Sequence, residues 1–235
     1  LYALTEDKEH FTRAVEALRQ AADTFQELGL MSRSAECWWR SAQTYDARGE
    51  YSKAAEHFEL ASKHYRNASN KIPKLKDFYE DHALYMKAWT EIEKGRRHHG
   101  RQEYDVAEEH FREVAELHRA STHWSYLAPS YAAWASVESA EQLSRKEHDE
   151  EAFEGFQQSL NILEEAKRSI QAALGRIDNL DEKQMATNLV KATDLRHEYC
   201  KGRISLEQAK ILDKKGDHSS SSEKYGSAAE TFQTI

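Results

Sequence analysis

The sequence predicts an all-α fold in which about nine helices form antiparallel hairpins that stack in chain order. Only 9 of the 235 residues are glycine and only 2 are proline, which leaves few residues for the tight turns of a sheet protein. Apolar residues recur at spacings of three, four and seven, which place them on one helical face. A pattern of small and aromatic residues also recurs along the chain, and such self-similarity is typical of repeat architectures.

The clearest repeat lies between Ala35 and Tyr65. It contains two apolar stripes separated by Gly49, and a glycine reaches the positive φ that a turn between two helices requires. The unit is therefore predicted to be a helical hairpin. Its stripes consist of Trp38, Ala42 and Tyr45 in the first helix and of Ala54, Phe58, Ala61 and Tyr65 in the second.

The pattern of the second helix recurs at four other places with the same internal spacing. These places are Ala14, Leu18, Ala21 and Phe25; Ala107, Phe111, Val114 and His118; Ala152, Phe156, Ser159 and Leu163; and Ser221, Tyr225, Ala228 and Phe232. The offsets between successive first residues, with Ala54 included, are 40, 53, 45 and 69 residues. Because the last offset is long, we expect an inserted helical pair at about 166–200, within one repeat domain that covers residues 1–235.

The phases of the apolar positions give the bounds of each helix. Pro73 and Pro129 fit the first turn of a helix, where a missing amide proton costs little, whereas Gly29, Gly49 and Gly100 fit the turns between helices. The predicted helices are 6–28, 32–48, 51–68, 73–99, 103–121, 126–145, 149–174, 181–215 and 217–234.

Charge and composition exclude several classes of protein. With 41 acidic and 33 basic residues, the chain has a formal net charge of −8, so we expect no nucleic-acid partner. The sequence contains no apolar run of about 18 residues, so no membrane span is predicted. Cys37 and Cys200 lack a metal-site spacing and are expected to be free thiols in a cytoplasmic protein. Since the chain begins at Leu1 and an amphipathic pattern runs to Ile235, we expect it to be part of a longer protein.

No residues with the spacing of a catalytic or metal site are found in the sequence. The 12 histidines do not form the paired ExxH motifs of a di-iron bundle, and HExxH, GxSxG and phosphate-binding glycine loops are absent. We therefore expect no enzymatic activity, no metal and no cofactor. The basic run from Lys94 to Arg101 has two interpretations. It could bind an anion, or its cations could lie at a helix C-terminus because they interact favourably with the negative end of the helix dipole.

The repeat from Ala35 to Ala61 resembles the tetratricopeptide repeat family. The aromatic, small and tyrosine positions of the family's first helix correspond to Trp38, Ala42 and Tyr45; its turn glycine and following aromatic residue to Gly49 and Tyr51; and its second-helix positions to Ala54, Phe58 and Ala61. The other repeats depart further from the family pattern, and the period exceeds 34 residues. The long period is more similar to that of the soluble NSF attachment proteins. The resemblance implies a right-handed superhelix with a concave inner face.

If the resemblance holds, the helical phase places a set of residues on the concave face, where they would bind a protein or peptide partner. Tryptophan and arginine often dominate the binding energy of interfaces. The alternative is that these tryptophans pack between adjacent repeats. The predicted contact residues are Trp39, Gln43, Trp89, Ile92, Arg96 and Trp134. Some family members hold a chaperone tail with a clamp of lysines, asparagines and arginine on this face. The clamp is absent here, where its positions carry Trp39, Gln43, Ile92 and Arg96.

Three functions are compatible with this pattern. The first is a non-enzymatic module that binds a partner segment on its concave face. The second is a sensor or scaffold segment that contacts neighbouring domains of its own, larger protein. The third is a vesicle-fusion adaptor similar to the soluble NSF attachment proteins, which would bind a coiled-coil bundle through a basic face. The sequence leaves the partner's identity and the oligomeric state open.

Overall fold

The computed structural model describes residues 8–235, and in this range the chain forms nine α-helices and no strand. Two single-turn 3-10 helices, Pro73–Leu75 and Ser125–Leu127, precede the fourth and sixth α-helices. The predicted all-α class is confirmed. The helices are α1 (Lys8–Glu27), α2 (Met31–Asp46), α3 (Tyr51–Lys71), α4 (Lys76–His99), α5 (Tyr104–Ala120), α6 (Ala128–Arg145), α7 (Asp149–Leu174), α8 (Leu180–Lys214) and α9 (His218–Gln233).

The turn glycines behave as predicted at two positions and differently at a third. Gly29 and Gly49 adopt positive φ values of 76° and 70°. Gly100 instead stays in the right-handed region with φ −62°, and Gln102 takes the positive φ of 58° before α5. Pro73 opens the 3-10 turn rather than α4 itself, which begins three residues later than predicted.

The chain divides into two compact units. Unit 1 comprises the residues up to Arg101 together with Glu116–Ser125, and unit 2 comprises Gln102–Ala115 together with Tyr126–Ile235. In unit 1, α1 packs on α2, α2 on α3 and α3 on α4; in unit 2, α6 packs on α7, α7 on α8 and α8 on α9. Within each unit, consecutive helices are thus antiparallel neighbours, as the hairpin pattern predicts.

The repeated small and aromatic positions form much of the core. In α3, Ala54, Phe58, Ala61 and Tyr65 are all buried, and the corresponding residues of α5 and α7 are buried as well. Small side chains at these positions let two helices approach closely, and the rings fill the space beside them. The pattern is less complete in α9, where Tyr225 is 42% exposed.

The region at about 166–200 contains no separate helical pair. Its extra length extends α7 to Leu174 and begins α8 at Leu180, and both helices continue without interruption. The turn between them is fixed by Asn179, whose side chain accepts a hydrogen bond of 3.0 Å from the backbone N–H of Glu182. Ile170, Ile177 and Ala186 form a local core beside this turn.

A buried cluster of charged and polar side chains joins α6 to α8 in unit 2. The Glu207 carboxylate has no exposed surface and accepts hydrogen bonds from Ser144 (2.7 Å), Arg203 (2.9 Å) and Lys210 (2.9 Å). Arg203 also pairs with Glu141 at 2.8 Å. Each buried charge therefore has a partner of opposite sign, the condition under which charges are tolerated inside a protein.

Candidate partner-binding surfaces

Trp39 and Gln43 lie one turn apart on α2, beside the buried stripe of Trp38 and Ala42. The Trp39 ring is half-buried and meets the ring of Tyr85 in α4 edge to face, with centroids 6.2 Å apart. Gln43, one turn further along α2, is exposed. Of these two side chains, only Gln43 is fully available to a partner, because part of the Trp39 surface is used to contact α4.

Trp89 is half-buried and Ile92 is buried, so neither side chain lies on a fully open surface. Trp89 stacks on Phe58 of α3, with ring centroids 5.5 Å apart and an interplanar angle of 23°. Ile92 is only 2% exposed. The physical reason is that α4 packs along α3 over most of its length, so this stripe contributes to the core of unit 1.

The Arg96 guanidinium is bound within unit 1. It pairs with Asp46 of α2 at 2.5 Å and with Glu93 at 2.9 Å, and it lies over the ring of Tyr51 at 4.5 Å from the centroid. Burial raises the pKa of Glu93 from 4.5 to about 7, with a further contribution from the Asp46 carboxylate, whereas Arg96 opposes this rise. Arg96 thus links α2 to α4, and its charge is already balanced.

Trp134 packs inside unit 2. Its ring meets Phe111 edge to face at 5.2 Å, and the Arg196 guanidinium lies 3.5 Å from the ring centroid. Such a cation over an indole face is a favourable contact. The alternative interpretation, packing between helices, therefore describes Trp89 and Trp134 in this structure. Partner binding by Trp39 and Gln43 stays a prediction.

A surface that the sequence analysis did not identify lies at one end of unit 1. The turns α1–α2 and α3–α4 are at the same end of the antiparallel helices, and the Nζ of Lys71 lies 3.8 Å from where a Cβ on Gly29 would be. Large apolar side chains in and beside these turns are exposed, up to 66% for Leu28. This surface, the apolar end, consists of Leu28, Leu30, Ile72, Leu75 and Phe78.

Cations flank the apolar end. Lys71 and Lys74 adjoin Ile72, and Lys63 and Arg66 lie further down α3; all four are exposed. Within residues 8–235, none of the four has a carboxylate oxygen within 4.0 Å. The sequence contained a signal for this surface. Leu28 and Leu30 flank a turn glycine, and Ile72 precedes a proline, although turns usually carry polar residues.

The side chains of the basic run from Lys94 to Arg101 contact different neighbours and do not converge on one position. Lys94 pairs with Glu91 at 2.9 Å, Arg96 is bound as described, and Arg97 donates to the Ser52 hydroxyl of α3 at 3.3 Å. Four basic residues lie in the last turn of α4, where a positive charge interacts favourably with the negative end of the helix dipole. Lys94 and Arg97 both face a cleft between α3 and α4.

Neither a metal cluster nor a membrane span is found in the part of the chain that the structure describes. Residues 8–235 contain no group of three or more histidine, cysteine, aspartate or glutamate side chains placed to hold a metal ion. No helix in this range combines the length and the apolar character needed to cross a membrane. Cys37 and Cys200 are both free, as predicted.

The architecture is that of a helical-repeat protein, and comparison with known families relates its first part to one of them. The family model described as "Soluble NSF attachment protein, SNAP" matches residues 3–94. The match ends within α4 and covers less than half of the chain. No tetratricopeptide repeat model matches. Neither a curated protein nor a solved structure matches the chain. Residues 3–94 are therefore similar to this family of helical proteins.

Proposed function

We propose that this chain is a non-enzymatic helical adaptor that binds a partner protein through the apolar end of unit 1. The observation that carries the proposal is the clustering of five large, exposed apolar side chains in two adjacent turns. Exposed apolar surface of this kind marks interaction sites in folded proteins. The family match over residues 3–94 supports the proposal, because it covers the same turns.

The charges around the apolar end indicate the chemistry of the partner. Lys71 and Lys74 have no carboxylate neighbour within residues 8–235, in a chain whose formal net charge is −8. A partner that covers Leu30 and Phe78 with apolar side chains and places acidic residues at the rim would satisfy both features. Apolar contacts would supply most of the affinity. The lysines would speed association, and high salt would weaken this effect because it screens their charge.

The proposal is tested with the Leu30→Ser/Phe78→Ser double variant. Photo-crosslinked partners of the full chain are captured from its native cells and quantified by mass spectrometry. We expect the main partners to be lost, because the variant removes two central apolar contacts. Leu180→Ser/Leu195→Ser, which removes exposed leucines from unit 2, is the matched control and should retain them. Equal capture by both variants, with helicity unchanged by circular dichroism, would refute the proposal.

A second candidate function is that of a vesicle-fusion adaptor that binds a coiled-coil bundle. The specific observation that favours it is the match to the soluble NSF attachment protein family. The exposed cations Lys63, Arg66, Lys71 and Lys74 provide the basic face that such binding requires. Titration of a purified coiled-coil fusion bundle into the chain tests this function. Binding should weaken when Lys63 and Arg66 are replaced by Gln, and a complete lack of binding at low salt would eliminate the candidate.

A further inference from the structure

A cleft between α3 and α4 is not used by the proposed function. It has a volume of about 610 Å³ and lies wholly in unit 1, between the α3 residues Tyr51 to Leu60 and the α4 residues Lys87 to Arg97. Ala55 is one of the residues that line it and contributes a small side chain. The cleft is therefore large enough to receive side chains from another protein.

Most charges that line the cleft are balanced by neighbours. Lys87 of α4 pairs with Glu59 of α3 at 2.8 Å, and Lys94 pairs with Glu91 at 2.9 Å. Glu93 is bound to Arg96 at 2.9 Å. Two charged residues that line the cleft take part in none of these pairs: the cation Arg97 and the anion Glu56.

Arg97 of α4 contacts an α3 residue that lies one helical turn before Glu56. The Arg97 guanidinium contacts the Ser52 hydroxyl at 3.3 Å, and within residues 8–235 no carboxylate oxygen lies within 4.0 Å of it. Glu56 is exposed, is four residues after Ser52 on α3, and has no cation within 4.0 Å in the same range. Four residues correspond to a rise of about 6 Å along a helix.

We propose that the α3–α4 cleft binds a helical segment of a partner protein that carries an acidic and a basic side chain one turn apart. The acidic side chain pairs with Arg97, and the basic side chain pairs with Glu56. Residues four apart lie on the same face of a helix, so one helical segment satisfies both charges at once. A small residue between them faces Ala55, one of the lining residues of the cleft. The site is separate from the apolar end and does not depend on it.

The proposal is tested by NMR with two synthetic peptides of roughly 20 residues, long enough to form an alanine-based helix in water. One peptide carries Glu and Lys four residues apart, and the other carries the same residues two apart, on different faces. The side-chain N–H signal of Arg97 reports directly on carboxylate binding. We expect the first peptide to shift this signal and the backbone signals of Ser52 and Glu56, whereas the second does not.

Charge variants show whether the pairing is specific. Arg97→Gln should weaken binding of the first peptide at least ~tenfold, because a charge-assisted hydrogen bond is lost. Arg33→Gln, which changes an exposed arginine outside the cleft, is the control and should have no effect. In the Arg97→Glu/Glu56→Lys variant, the preferred order of Glu and Lys in the peptide should reverse.

Three results would overturn the proposal. The first is the absence of any shift at Arg97 at millimolar peptide concentrations. The second is an equal shift with both peptides, which would indicate non-specific charge attraction. The third is the same shift at Arg97 with inorganic phosphate alone and none at Glu56, which would indicate a simple anion site. Because the apolar-end variants leave the cleft intact, failure here is distinct from failure of the proposed function.

Discussion

At the scale of single residues, Glu93 is a carboxyl group that the fold holds in an unfavourable environment. It is fully buried, and its carboxylate pairs with Arg96, whose guanidinium also lies over the Tyr51 ring. Its pKa is raised to about 7 by burial and by Asp46. The folded chain therefore binds the Glu93 proton more tightly than the unfolded chain does, so ionisation of Glu93 lowers stability.

The first prediction concerns the pH dependence of this effect. The contribution of protonated Glu93 to stability is complete below about pH 4.5 and is lost as the pH rises through about 7. Between these values, the free energy of unfolding of the wild type should fall by about 1–3 kcal/mol relative to that of Glu93→Gln. Urea unfolding at several pH values measures the difference. A Glu93→Gln difference that does not change with pH would contradict the assignment.

The second prediction concerns Gly202 in α8. A Cβ at this position would lie 2.7 Å from the Phe232 ring of α9, closer than real side-chain contacts. Gly202→Ala should therefore push α9 away and reduce stability by about 1–3 kcal/mol, despite the higher helix propensity of alanine. Thermal unfolding followed by circular dichroism measures the change.

Gly226 provides the matched control for Gly202. It also lies in a helix, and a Cβ there would have no neighbour within 4 Å. Gly226→Ala should increase stability by up to about 1 kcal/mol through helix propensity. If the two variants behave alike, the contact between Gly202 and Phe232 does not determine the packing of α9.

The candidate site shows what helical phase can predict for individual residues. Phase placed Trp39 and Trp89 outside the first-helix core stripe, and in the structure Trp39 of α2 and Trp89 of α4 both contact the Tyr85 ring of α4. It could not predict that Trp89 would stack on Phe58, or that Arg96 would pair with Asp46, fifty residues earlier. These contacts depend on the rotation of α4 against α2 and α3, which no local spacing determines.

At the scale of helices, the sequence indicated most boundaries because glycine, proline and caps act locally. The bounds of α7 and the start of α3 agree with the prediction. The turn before α5 was assigned to Gly100, but Gln102 takes the positive φ, and Glu147 does the same before α7. A non-glycine residue at positive φ costs energy that tertiary packing must offset, so a sequence pattern gives no signal for it.

The third prediction concerns the charged cluster that joins α6 to α8. Glu207→Ala removes the carboxylate that accepts from Ser144, Arg203 and Lys210, and leaves two cations without this partner. We expect a loss of about 3–5 kcal/mol, typical of breaking a buried ion pair from one side. Urea unfolding measures the loss, and hydrogen exchange should increase in the part of α8 around residue 207.

A double variant separates the ion pair from the burial of the side chain. In Glu207→Leu/Lys210→Met, both charges are replaced by apolar groups of similar size, and stability should recover by at least ~1 kcal/mol relative to Glu207→Ala. Glu198→Gln, which removes one partner of the exposed Lys201 pair, should cost less than about 1 kcal/mol. No recovery in the double variant would show that the cluster does not act through charge pairing.

At the scale of the whole molecule, net charge and the apolar end have opposite effects on association. The formal charge of −8 at pH 7 makes copies of the chain repel one another, whereas the exposed side chains around Phe78 favour contact. The calculated isoelectric point is about 5.9, so the repulsion disappears within a little more than one pH unit. Composition predicts the charge directly, but it cannot predict that the apolar residues of two distant turns cluster, because only the antiparallel stacking of α1 to α4 brings them together.

The last prediction follows from this balance. As the pH falls from about 7.5 towards 5.9, light scattering should show self-association that Leu30→Ser/Phe78→Ser reduces at least ~threefold. Leu180→Ser/Leu195→Ser removes two exposed leucines of unit 2, and it should leave the association unchanged. An equal reduction by both variants would mean that exposed apolar area in general, rather than its clustering at the apolar end, drives the contact. Because a partner that covers the apolar end would also block self-association, the same measurement with a captured partner present links this property to the proposed function.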